Sequence, residues 1–207
     1  MKLASWLDFF RRHAEKKIFT FADLAQMTGA PRGTLRVELS RLAARGVLPR
    51  LARELYANPF SPPSVEEVAM ALRWPSCISL EYALSAQGVL SQTAFTVTCV
   101  TTRLPRSFLA GGTAYEYHRI ARRLFWGWRE DPGTGVRVAL PEKALLDLVY
   151  IRVLRTRELD PEGLASLLDD MYPDELDPGL LRSFLDRFGP PHAERMAAAL
   201  AAAGLRV

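Results

Sequence analysis

Between Arg32 and Arg45 the chain carries Leu35, Leu39 and Leu42 at the i, i+4, i+7 spacing of one helical face. At 100° per residue, Gly33, Thr34, Arg36, Val37, Ser40 and Arg41 fall on the opposite half. Such a mixture can read a DNA duplex. Arg36 and Arg41 can reach guanine edges or phosphates, Thr34 and Ser40 can bond either, and Val37 can touch a thymine methyl. Gly33 leaves room for close approach, and Arg32 adds charge where the helix starts. Arg50 and Arg53 follow on or beside a hairpin tip. Lys16, Lys17 and Arg45 lie near element ends, where each would add a phosphate contact. The bland alternative is the solvated face of a small three-helix domain.

Other constellations offer less. Glu142, Lys143 and Asp147 could suggest an acid–base site. On a helix, however, Glu142 and Asp147 stand about 140° apart and cannot converge on one atom. Lys143 and Asp147 are spaced for an ion pair instead. His13, His118 and His192 are scattered, and neither Cys77 nor Cys99 lies at a metal-ligand spacing from them. The stretch Tyr115–Arg129 interleaves bases with aromatics, which reads as half-buried strands with aromatics inward and arginines outward. No phosphate-cradling glycine motif is present, so no cofactor, metal or catalytic residue is expected.

These side chains need a scaffold, and the first 58 residues spell one out. Leu3, Trp6, Leu7 and Phe10 share a helical face, and Lys16–Phe19 reads as a short extended piece. Thr20 caps a second helix, with Asp23 completing a capping box, and Thr28-Gly29 stops it. Pro31 opens a third helix at a favoured first-turn position, Gly46 ends it, and a hairpin turns at Ala52-Arg53. Helix, strand, helix, tight turn, helix and hairpin is the order of a winged helix-turn-helix.

Pro59, Pro62 and Pro63 then make residues 59–63 a stiff linker. Beyond it, residues 64–207 predict helices near Val65–Arg73 and Leu80–Ser85 and an alternating strand between Thr93 and Thr102. Further strands are expected at Thr113–Arg119, Arg122–Arg129 and Val136–Leu140, then a helix from Pro141 to about Leu154. Three helical pieces close the chain, near Pro161–Met171, Pro178–Phe188 and His192–Ala203. The expected fold class is α+β: a winged helix-turn-helix over 1–58, then a mixed α+β domain with a helical tail.

Charge follows the same division. Residues 1–60 hold 11 Lys/Arg against 5 Asp/Glu, and the remainder holds 16 against 18. A balance of +6 before the linker and −2 after it confines the expected electrostatic work to the first segment. The 49% hydrophobic content suits a globular protein, and no apolar run approaches the roughly 18–20 residues of a membrane span. The charge at Asp8 comes too early for a signal-peptide core, and two cysteines without a scaffold pattern fit a reducing compartment. The expected location is cytoplasmic.

The sequence also resembles the AbiEi family of antitoxins, the regulatory half of bacterial AbiE toxin–antitoxin systems. The resemblance rests on Arg45–Leu51 and Glu54–Tyr56, then on Ile78–Leu84, Thr96–Thr98 and Tyr115–Ile120. Its most distinctive piece is Ala139–Tyr150. This chain departs from the pattern in carrying Arg53-Glu54 where many relatives have a glycine at the hairpin tip. The resemblance implies a transcriptional autorepressor that binds double-stranded DNA at its own operator. It also implies an antitoxin opposing a cognate nucleotidyltransferase toxin, and no enzyme. Two other readings remain open: a DNA-tethered, nuclease-like enzyme, and a regulator whose second domain senses a ligand.

Overall fold

Aromatic side chains organise the start of the chain. In this computed structural model, which describes residues 2–205, helix α1 (Leu3–Arg12) buries Trp6, Phe9 and Phe10. Trp6 stacks on Phe10 at 5.6 Å, and Phe9 and Phe10 meet Phe19 at 6.0 and 5.5 Å. Strand β1 (Ile18–Thr20) leads directly into α2 (Phe21–Thr28). There the expected capping box is present: the Asp23 amide donates to Thr20 Oγ1 at 3.0 Å, and the Thr20 amide donates to Asp23 Oδ2 at 2.8 Å. Gly29, at φ 64°, ends α2 in a left-handed turn that costs a glycine little. Helix α3 (Arg32–Ala44) buries Leu35, Leu39 and Leu42 as the spacing predicts, with Pro31 as its N-cap rather than its first residue.

Strands β2 (Arg50–Ala52) and β3 (Leu55–Ala57) form the hairpin, and β1 joins β3 to make a three-stranded antiparallel sheet. The hairpin faces two ways. Tyr56 belongs to the aromatic cluster of α1–α3, whereas Leu51, Leu55 and Ala57 belong to the larger core built by the rest of the chain.

Asn58, at the mouth of the proline segment, is fully buried. Its Nδ2 donates to the carbonyls of Phe10, His13 and Lys16 at 3.1, 2.9 and 3.1 Å, and its Oδ1 accepts from the Phe60 amide at 3.0 Å. One side chain thus satisfies the carbonyls left over where α1 ends. Ser64 then caps α4 (Val65–Leu72), and the Glu67 carboxylate of that capping box reaches Lys17 at 2.9 Å.

The second sheet has six strands in the order β6-β7-β5-β4-β9-β8. These are β4 (Ser76–Ile78), β5 (Val97–Thr101), β6 (Arg106–Ala110), β7 (Thr113–Arg119), β8 (Trp128–Glu130) and β9 (Arg137–Ala139). The pairs β5/β7 and β4/β9 are parallel and the others antiparallel. Helices α5 (Leu80–Ala86) and α6 (Pro141–Leu148) pack together, and α7 (Pro161–Asp169), α8 (Pro178–Asp186) and α9 (Pro190–Ala202) form the helical tail. The architecture is α+β.

Several local expectations are corrected. Strand β5 is buried at every position instead of alternating, because it lies inside the sheet with both faces covered. Its threonines are tolerated there because Thr98 and Thr101 donate to the carbonyls of Ser79 and Pro75 at 2.7 and 2.6 Å. Arg122–Arg129 is no strand: a 3-10 turn occupies Arg122–Leu124 and only Trp128 and Arg129 enter β8. The helix from Pro141 stops being α-helical at Leu148 and widens into a π-helical segment over Val149–Arg155.

Candidate nucleic-acid interface

With its leucines buried, α3 presents Arg32, Gly33, Thr34, Arg36, Val37, Ser40 and Arg41 to solvent. Val37 is 49% exposed, so its methyl groups stand on this face beside the polar side chains. A Cβ added at Gly33 would meet nothing within 4 Å, so the local fold makes no demand for glycine there.

The exposed face has two flanks. On one, Arg36 and Ser40 line an open groove of about 590 Å³ shared with Arg50, Arg53, Glu54 and Tyr56 of the hairpin. On the other, Arg41 and Arg45 lie beside Trp6, Glu38 and Leu42, against α1. Arg36 and Arg41 therefore bracket the face rather than sharing one edge of it.

Phe21 and Glu54 hold the first flank. The guanidiniums of Arg32 and Arg36 lie over the Phe21 ring at 5.0 and 5.3 Å, a cation–π arrangement that orients both while leaving them wet. Arg36 Nη2 also meets Glu54 Oε1 at 2.9 Å, and the Glu54 carbonyl accepts from the Phe21 amide at 2.9 Å. Glu54 sits at φ 61°, in the left-handed region where a glycine is cheaper. Sequence reasoning missed both residues. The capping box marks only the start of α2, and in the sequence Glu54 figures only in the family pattern, within Glu54–Tyr56 and in the Arg53-Glu54 departure at the hairpin tip.

The remaining predicted cations divide. Arg50 donates from Nε to the Ala52 carbonyl at 3.2 Å, and Arg53 stands exposed at the turn. Lys16 and Lys17 are half-buried and face carboxylates, Asp23 at 3.4 Å and Glu67 at 2.9 Å. Burial opposes the charge on Asp23, yet the Thr20 amide and hydroxyl and the nearby Lys16 together hold its carboxyl below the ordinary range.

The other constellations resolve into packing. Glu142, Lys143 and Asp147 are all almost wholly buried. Lys143 pairs with Asp147, to which Ser79 Oγ donates at 2.8 Å, and Lys143 Nζ lies 4.9 Å from the Trp126 ring centre. Burial pushes the Asp147 carboxyl up against the opposing pull of Lys143 and Ser79. Glu142 accepts from the Asp177 amide at 2.9 Å. Both cysteines are buried, and burial pushes their thiols well up. In the aromatic stretch Tyr115 and Tyr117 point inward, while Arg119, Arg122 and Arg123 are exposed. Among the described residues no three His, Cys, Asp or Glu are grouped to hold a metal ion, and no helix is long and apolar enough to cross a membrane.

Residues 7–59 match the family described as transcriptional regulators, AbiEi antitoxin. The resemblance read from the sequence is thereby borne out over the segment that carries α1 to β3. No curated protein matches the chain. Among solved structures it is similar to the crystal structure of the RV2827C protein from Mycobacterium tuberculosis, with a TM-score of 0.53 at 17% identity. The alignment covers 95% of this chain and 76% of that one, and at such identity the likeness is one of fold.

Proposed function

We propose that this chain is a DNA-binding autorepressor and antitoxin, with duplex recognition in residues 1–58 and the antitoxin role in 64–207. The observation that carries the reading is the two-flanked cationic face of α3 beside the Arg50/Arg53 hairpin. The family match over residues 7–59 supports it. In this reading α2 and α3 are a helix-turn-helix and the hairpin is its wing.

A helix of 13 residues is about 20 Å long and fits a major groove about 12 Å wide. Arg36 and Arg41 enter from the two sides, Thr34 and Ser40 bond bases or phosphates, and Val37 packs on a thymine methyl. Arg50 and Arg53 take backbone phosphates beside the groove, and Arg32 and Arg45 do so at the helix ends. Lys16 and Lys17 contribute by exchanging their carboxylate partners for phosphate. Neutralising about six phosphates with these side chains gives a slope of about −5.4 in log affinity against log salt. The partner opposed by the second part is a nucleotidyltransferase toxin, as the family resemblance implies.

Charge reversal at both Arg36 and Arg41 tests the reading. Retention of the chain's own upstream duplex in a gel shift is expected to vanish while the melting temperature holds, since both side chains are exposed. Binding by the double variant equal to that of the unaltered chain would refute the assignment of this face.

A further inference from the structure

A second cleft, of about 670 Å³, lies on the other side of the hairpin, where β2 packs beside β6. Arg53, Glu54 and Phe21 line both clefts, so the two meet at the hairpin tip. The far wall of the second belongs to the later part of the chain and includes Arg73 and Arg106.

Arg103 lies in the bend three residues before Arg106. Burial lowers the Arg73 guanidinium below its ordinary range, and the positive charges of Arg103 and Arg106 lower it further. Among the described residues, none of Arg53, Arg73, Arg103 and Arg106 forms an ion pair. The nearest acid on the cleft wall, Glu54, is already engaged by Arg36. Arg73 gives one guanidinium nitrogen to the Leu104 carbonyl, while its buried Nε has no partner. Four cations gathered without a counter-charge make a local positive field, and an oxyanion is what completes such a group.

We propose that Arg73, Arg103 and Arg106 form a phosphate-binding patch that carries the duplex interface past the hairpin onto the six-stranded sheet. The ligand is the DNA sugar–phosphate backbone, and the inference rests on the DNA-binding reading above. Edge strand β6 supplies Arg106, the turn before it supplies Arg103, and the residue after α4 supplies Arg73. The later part of the chain, acidic by its total, thus adds positive charge where it meets the hairpin.

The test uses the full chain, titrated at several salt concentrations against its upstream duplex and a scrambled one. Compared are the unaltered chain, the Arg103→Ala/Arg106→Ala variant and the Arg103→Lys/Arg106→Lys variant. The alanine pair is expected to weaken both duplexes by a similar factor and to flatten the salt slope by about 1.8, two phosphate contacts' worth. The lysine pair restores the slope. Both side chains are exposed, so melting temperatures should stay together. An unchanged slope in the alanine pair, with Arg36/Arg41 reversal still abolishing binding, overturns the patch alone and leaves the arginines to an acidic protein partner. No retention of DNA by the unaltered chain at low salt overturns the patch and the DNA-binding reading together.

Discussion

Arg36–Glu54 in the first part of the chain and Lys143–Asp147 in the second are both a base touching an acid, yet water makes them different objects. The side chains of the first pair are 63% and 44% exposed, and those of the second are 1% each. In water the attraction is screened and the partners can be exchanged, so Arg36 is free to leave Glu54 for a phosphate or a guanine. Inside the core the charges have given up hydration worth several kcal/mol per ion and hold only because each completes the other. Exposure thus marks which pair can act on a ligand and which maintains the fold.

The largest break in this comparison should come from Asp147→Ala. It leaves a lysine buried without its acid and is expected to cost about 3–5 kcal/mol in denaturant unfolding. A loss below about 1 kcal/mol would mean that the core pair behaves like a surface one.

His118 sharpens the comparison from an intermediate environment. It lies beside Glu116 and Arg152, and Arg152 also pairs with Glu81 and Glu158. Burial and the Arg152 charge hold its imidazole below the ordinary value of 6.5. The unfolded chain therefore takes up this proton first as pH falls. Stability from this group is complete above about pH 6.5 and is lost as pH drops toward the folded value. Melting curves between about pH 7.5 and pH 5.5 should show that loss, and His118→Gln should reduce it. An identical acid limb in the variant would assign the loss elsewhere.

Glu54→Ala should have the smallest effect on stability, less than about 1 kcal/mol. Removing an acid from the groove should at the same time tighten DNA binding, as read in the same salt titrations. A stability loss approaching that of Asp147→Ala would make the exposed pair structural and close the distinction.

The two regions also differ in how much of them could be read in advance. Helices α1–α3 were legible because periodicity, capping box and glycine stop all act within a few residues of one another. Two of the tail helices were legible for the same reason, each opening on a proline at its first turn, whereas α9 starts at Pro190, two residues before the expected His192. Strands β4 and β6 escaped notice for different reasons. Strand β4 is three residues long and pairs with strands distant in sequence. Strand β6 pairs with its neighbour β7 across the Gly111-Gly112 turn but exposes four of its five residues or leaves them half-covered, so no buried face marks it. In the candidate interface the cations of α3 and the hairpin were readable, whereas their arrangement was not. The Phe21 platform, the Glu54 brace and the Asn58 clasp depend on which segments meet.

By itself the sequence determined the local grammar: where helices begin and end, which leucines turn inward, and that positive charge gathers before the prolines. Tertiary structure alone decided that β5 is covered on both faces and that Lys143 and Asp147 lie out of water. It also brought Arg73 and Arg106 of a net-acidic segment up to the hairpin. The physical reason is range. Backbone propensity and side-chain periodicity act over a turn or two of chain, whereas dielectric surroundings and charge clustering are properties of whatever packs nearby, however far away in sequence it began.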